Sequence, residues 1–203
     1  MGVEFGSAGV VGGVGPNTSG QFPESNRIYP LDRMWVVQSS ITLTSGLLHV
    51  VPWRQAYTKN VNRIDTQTRG TAAGATPTTC LMGLYEFTID WSAETYTATR
   101  LALSSNDTAL WAGTFTGYEK AFSSSETITL RAGGYYGAAC LCVTGATAPI
   151  MYGAAFGAGF TSKFFPTAFT ISGQTTIPTS FTQATSGLTA GAGAAPYFGL
   201  RLV

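Results

Sequence analysis

The sequence predicts an all-β protein, a jelly-roll-like antiparallel β-sandwich with an extended glycine-rich N-terminal arm, and three observations point there. Short apolar runs alternate with polar residues at a period of two and are broken by Gly, Pro, Asn and Ser turns. No window of adequate length carries the 3.6-residue period of an amphipathic helix, and Glu119-Lys120-Ala121-Phe122 and Ser123-Ser124-Ser125 allow at most one turn. Charged residues make up 10% of the 203-residue chain against 44% hydrophobic, where an ordinary globular chain carries about 25% charge. A surface so poor in charge is covered by hydroxyls, amides, small residues and other copies of the protein.

Residues 1–26 form the arm. Gly9 to Gly15, then Pro16-Asn17-Thr18-Ser19-Gly20, offer little side-chain volume to bury and much backbone freedom, so this stretch needs a neighbouring surface to become ordered. Residues 27–203 form the sandwich domain. Met34 to Thr44 places Trp35, Val37, Ile41 and Leu43 at alternating positions, and Leu47 to Trp53 follows after Ser45-Gly46, which reads as a hairpin. Val61 to Thr66 is a weaker strand. Cys80 to Asp90 is apolar on both faces and reads as central. Thr97 to Leu103 and Leu110 to Thr116 are further strands separated by Ser104-Ser105-Asn106-Asp107.

Glu126 to Thr144 gives the clearest hairpin, turning at Gly133-Gly134, where positive φ angles come without steric cost. Residues 145–195 are Gly-, Ala- and Pro-punctuated but hold Phe156, Phe160, Phe164, Phe165, Phe169 and Phe181, so this excursion must lie over a neighbouring surface. Tyr197 to Val203 reads as a last strand that closes a sheet or seals a subunit interface. About nine strands of uneven length favour a sandwich over an up-and-down barrel.

The net charge of +1, from 11 basic and 10 acidic residues, leaves no clustered footprint for nucleic acid. No stretch approaches the roughly 20 apolar residues of a bilayer span, and Met1 to Gly6 lacks the basic and apolar regions of a secretory signal, so synthesis in a cytosol without membrane insertion is expected. No cofactor and no metal is expected. Cys80, Cys140 and Cys142 read as small buried core residues, with a bridge from Cys80 to one of the other two left open. Asn60, Asn62 and Asp65 could supply oxygens to a cation, but the alternation of a metal loop is incomplete and exposure accounts for them.

His49 is the single histidine, set in an apolar strand as a satisfied structural group or an outward polar position, and no Gly-x-Ser-x-Gly elbow accompanies it. Paired carboxylates are the remaining route to catalysis. Glu86 and Asp90 share a strand face but stand roughly 13 Å apart along it, beyond the ~9.5 Å limit of an inverting glycosidase pair; Glu94, close by in sequence, and Asp107 are the other acidic residues of interest. Rings with neighbouring polar groups suit sugar binding by stacking. Trp53, Arg54, Tyr57 and Trp91 are the expected glycan contacts. Phe156, Phe160, Phe164, Phe165, Tyr197 and Phe198 are the expected oligomer interface.

Ile28-Tyr29-Pro30, Gly46-Leu47-Leu48-His49-Val50-Val51-Pro52-Trp53, Val61-Asn62-Arg63-Ile64, Ile128 through Gly137 and Tyr197-Phe198-Gly199-Leu200 together resemble the jelly-roll heads of minor tail, tail-fibre and head-fibre (decoration) proteins of tailed bacteriophages, especially those of actinobacterial hosts. The last strand also looks like the closing strand of trimeric C1q-like and tumour-necrosis-factor-like jelly rolls. The resemblance covers residues 27–203 loosely and carries no diagnostic motif or catalytic set. It implies a homotrimeric virion structural protein that decorates the particle or touches the host envelope and its glycans, anchored to capsid or tail proteins through residues 1–26. The alternative is a polysaccharide-degrading tailspike-type glycoside hydrolase.

Overall fold

The computed structural model describes residues 27–30, 39–74, 77–124, 126–144, 147–155, 168–184 and 194–203. Among them every regular element is a strand, every paired strand is antiparallel, and no helix is long and apolar enough to cross a membrane. The arm at residues 1–26 lies outside the described residues.

The strands are β1 (Arg27–Ile28), β2 (Ser39–Thr42), β3 (Leu48–Arg54), β4 (Lys59–Gln67), β5 (Pro77–Asp90), β6 (Thr95–Leu103), β7 (Gly117–Ala121), β8 (Ile128–Leu130), β9 (Tyr135–Thr144), β10 (Ile150–Ala155), β11 (Phe169–Ile171), β12 (Ser180–Ala184), β13 (Ala194–Pro196) and β14 (Phe198–Leu202). One sheet has the order β11-β3-β9-β5-β6-β12. Facing it are a sheet in which β1-β14-β4-β7 lie side by side with β8 also on β4, and a three-stranded sheet β13-β10-β2. A bridge between Thr68 and Met151 joins those two smaller sheets into one layer.

Period-two alternation builds the core between the layers. Val51 and Trp53 of β3, Met82 and Leu84 of β5, and Tyr136 and Ala138 of β9 point inward against Ile64 of β4, Leu130 of β8, Met151 of β10, and Phe198 and Leu200 of β14. The central position expected for Cys80 to Asp90 holds, because β5 is flanked by β9 and β6 and is buried on both faces. Its outer face carries Leu81, Tyr85 and Phe87 in a second cluster with Val50, Leu141, Phe169 and Ile177.

That second cluster shows where the described end of the phenylalanine-rich excursion goes. Residues 168–184 supply both edge strands of the six-stranded sheet, β11 on β3 and β12 on β6, and the sheet curls until Phe169 and Phe181 of those opposite edges touch at 5.9 Å between ring centroids. Phe169 and Phe181 meet Phe87 edge-on at 6.2 and 6.3 Å between ring centroids, the Tyr85 hydroxyl donates to the Pro178 carbonyl at 2.7 Å, and Arg100 donates to the Ile177 carbonyl. Ile177 rests on Gly83, where an added Cβ would meet its carbons at 3.3 Å.

Three local expectations are corrected. The two predicted hairpins are not hairpins. β2 pairs with β10 and β3 with β9 and β11, so Ser45-Gly46, with Gly46 at φ 72°, is a corner between layers. Likewise β8 pairs with β4 while β9 pairs with β3 and β5. The Gly133-Gly134 turn forms, with Gly133 at φ 81°, but it arches from one layer to the other because Leu130 and Tyr136 both bury their side chains between the sheets. Leu110 to Thr116 is a run of turns. Leu110 and Trp111 are consecutive and both buried, which a half-exposed strand cannot achieve, and Trp111 does so at φ 66° with its indole N–H donating to Thr66 Oγ1 at 2.8 Å.

Candidate functional site

One end of the sandwich carries two exposed rings, Tyr57 and Trp91; a third, Phe115, is exposed beside the far end of β4. Register places Arg54 of β3 opposite Tyr135 of β9, which lies opposite Phe87 of β5. The β5–β6 hairpin therefore runs three residues farther, Thr88 to Asp90, about 10 Å at the rise of an antiparallel strand, before turning at Trp91. The Asp90 carboxylate frames the turn, accepting from the Ser92 amide at 2.9 Å, the Ser92 hydroxyl at 2.7 Å and the Ala93 amide at 3.0 Å. Those donors hold the Asp90 carboxyl below its ordinary value. Trp91 stands 57% exposed on this turn.

The β3–β4 turn and the β8–β9 arch brace each other beside it. Gln55 N–H donates to the Gly134 carbonyl at 2.8 Å, and Gly133 N–H donates to the Gln55 carbonyl at 2.8 Å. Ala132 N–H donates to Thr58 Oγ1 at 3.1 Å, and the Gln55 side-chain amide donates to the Tyr57 carbonyl at 2.6 Å. Tyr57 thus sits on a fixed backbone with its ring 74% exposed. The Arg54 guanidinium carbon lies 6.0 Å from the centroid of the Tyr135 ring, within cation–π range. Next to Tyr57, a shallow open groove of about 200 Å3 is lined by Thr58, Lys59, Asn60, Leu202 and Val203. Exposed rings, a guanidinium and hydroxyls on the two interlocked turns and the β5–β6 turn can stack on the apolar face of a sugar and hydrogen-bond its hydroxyls.

Of the four expected glycan contacts, the structure keeps Arg54, Tyr57 and Trp91 at this end and removes Trp53. Trp53 is 8% exposed, packs at 5.9 Å against Tyr136 and donates its indole N–H to Gln55 Oε1 at 2.9 Å. It alternates with Arg54 and so faces the inter-sheet core. Sequence reading missed Tyr135 and Arg131, which the arch brings here; their signal was the Gly-Gly turn between them.

Of the expected interface residues, Phe156, Phe160, Phe164 and Phe165 lie outside the described residues. Tyr197 is half-buried and stacks on Tyr29 at 5.5 Å. Phe198 is corrected: it is 1% exposed inside the subunit core, because β14 lies between β1 and β4 and turns its even-numbered residues inward.

Asp90 and Asp107 do not converge. Asp90 is committed to its turn, and Asp107 forms an ion pair with Lys120 at the far end of β5, its N–H on the Cys80 carbonyl. Cys80 and Asp90 are ten residues apart on one strand, about 34 Å. The Lys120 hydrogen bond, then the Ala109 amide, hold Asp107 below its ordinary value. Glu86 is exposed on β5 between them.

His49 is neither outward nor satisfied. It is 4% exposed, its Nε2 has no hydrogen-bond partner among the described residues, and burial lowers its pKa from 6.5 to about 4. Asp65 departs from the reading as an exposed polar residue: its side chain is fully buried and ion-paired with Arg27, which also donates to Glu119 at 2.7 Å. Arg63 and Arg201 each donate to the other Glu119 oxygen at 3.0 Å. Burial pushes the Glu119 carboxyl up, but the hydrogen bonds from Arg201 and Arg27 outweigh it and hold it below its ordinary value. Among the described residues no cluster of His, Cys, Asp and Glu is placed to hold a metal ion. No protein-family model matches the chain, and no curated protein matches it in sequence.

Proposed function

We propose that this chain is a structural and adhesive protein of a tailed-bacteriophage particle, a homotrimeric sandwich that contacts host cell-envelope glycans through the end bearing Arg54, Tyr57 and Trp91. The observation that carries the adhesive half is the exposure of Tyr57 and Trp91 on braced turns at one end of the sandwich. Rings exposed on ordered turns offer flat faces on which a sugar can stack. The scarcity of charge supports assembly with further copies, and the sequence resemblance supports the virion, with residues 1–26 as the attachment to capsid or tail proteins.

The test is retention of the purified protein on immobilised host-envelope polysaccharide, compared with the Tyr57→Ala/Trp91→Ala double variant. Retention lost in the variant at unchanged thermal midpoint supports the reading; equal retention refutes the site. Light scattering should give a trimer, and a monomer at micromolar concentration refutes that part. Labelled antibody on intact particles tests the virion assignment and separates capsid from tail. No reducing sugar should be released from the polysaccharide. Release that is abolished by Glu86→Gln, Asp90→Asn or Asp107→Asn would replace adhesion with hydrolysis.

A further inference from the structure

Cys80 and Cys142 stand directly opposite each other on β5 and β9. Both are fully buried on the inter-sheet face, both are free thiols, and their Sγ atoms are 3.9 Å apart. The pair occupies a non-hydrogen-bonded position of the ladder. Cys80 N–H donates to Asn106 Oδ1 at 2.9 Å, and its carbonyl accepts from Asp107 N–H at 3.3 Å. The Cys142 carbonyl accepts from Gly46 N–H at 3.0 Å. These backbone groups all point away from the partner strand. Opposing residues of this kind have Cα atoms about 4.5 Å apart, inside the roughly 4.4–6.8 Å window a disulfide requires. Closing the sulfur separation to a bond of about 2.0 Å moves each sulfur by about 1 Å.

Cys140 is not placed to compete. It opposes Met82 on β5 and His49 on β3, and it lies two residues from Cys142 on the same strand face, about 7 Å away.

We propose that Cys80 and Cys142 form a redox pair that closes to a cross-strand disulfide with a small-molecule disulfide as the oxidant, while Cys140 remains a thiol. One cysteine thiolate attacks a sulfur of the small disulfide, whose S–S bond breaks and releases one thiol, leaving a mixed disulfide. The second cysteine thiolate attacks the protein sulfur of that mixed disulfide and releases the other thiol. The two protein sulfurs are oxidised, the small disulfide is reduced, and the two cysteine protons end on the two released thiols. In the closed fold the hydrogen bond to Cys142 and burial hold the Cys80 thiol protonated. Attack therefore follows local opening of the two layers around the pair, or precedes folding.

The test incubates the full chain with oxidised glutathione in native buffer and, separately, refolds it from urea in the same reagent. Free thiols are then alkylated and the unreduced digest is read by mass spectrometry. The expected product is a peptide linking Cys80 to Cys142 and lighter by two hydrogens, with Cys140 alkylated. The thermal midpoint should rise and return on adding dithiothreitol. Cys140→Ala should keep the linked peptide and Cys142→Ala should lose it. Three alkylated cysteines under both conditions overturn the proposal, as does any link through Cys140 or between two chains. Should Cys142→Ala fail to fold, the linked peptide in Cys140→Ala decides alone.

Discussion

Acidification should destabilise this protein through His49 well before its carboxylates titrate. An unfolded histidine takes up its proton near pH 6.5, whereas the buried imidazole of His49 does so only near 4. Between those values the unfolded chain binds a proton that the folded one refuses. The contribution of His49 is therefore fully favourable above pH 6.5, falls as the pH drops, and levels off below 4. At pH 5 the two binding curves give a loss of about 2 kcal/mol relative to neutral pH. The carboxylates held low, Asp107 and Glu119, act at lower pH, since their unfolded values are 3.8 and 4.5. The assay is urea unfolding followed by tryptophan fluorescence from pH 7.5 to 4.5, for the natural chain and for His49→Leu, which keeps the carboxylates and removes the imidazole. The natural chain should lose about 2 kcal/mol more than the variant between pH 7.5 and 5. Parallel curves would refute the account of a neutral, buried His49.

Gly199 lies opposite Asp65, and a Cβ there would meet both Asp65 carboxylate oxygens at 2.6 Å. Gly199→Ala should push that carboxylate off Arg27 and cost about 2–4 kcal/mol in urea unfolding, with a less than additive effect when combined with Asp65→Ala. Trp111→Phe removes the donor to Thr66 and should lower stability by about 1–3 kcal/mol, measured by the same unfolding. Tyr57→Ala and Trp91→Ala should each shift stability by less than about 0.5 kcal/mol by calorimetry, because both rings are exposed, while glycan retention falls about tenfold or more.

What could be read from the sequence was what depends on neighbours in the chain. The two apolar faces of Cys80 to Asp90 marked β5 as central, and the exposure of Trp91 followed from the break in alternation after Asp90. What could not be read depends on register between distant strands. Ser45-Gly46 and Gly133-Gly134 carry hairpin chemistry, yet a tight turn bends the chain equally well into the facing layer, and burial of Leu43, Leu130 and Tyr136 between the sheets decides the outcome. Leu110 to Thr116 misled because buried consecutive residues in turns mimic a strand that is apolar on both faces. Trp53 was placed in the site by its neighbours Arg54 and Tyr57, although parity sends it to the opposite side. The ionic cluster of Arg27, Asp65 and Glu119 joins three strands and left no local trace.

Residues 168–184, which bring both edge strands of the six-stranded sheet and Ile177 onto Leu81, Tyr85 and Phe87, have a consequence for synthesis. That sheet has its four central strands in place once the chain reaches Thr144, but its edges are completed only at Ala184, forty residues later. At roughly 5–20 residues per second on a ribosome, that apolar flank stays open for about 2–8 s in every nascent copy. On a polysome carrying neighbouring copies, this interval is when sticking between unfinished molecules competes with completion, so slower translation through this stretch should lower soluble yield.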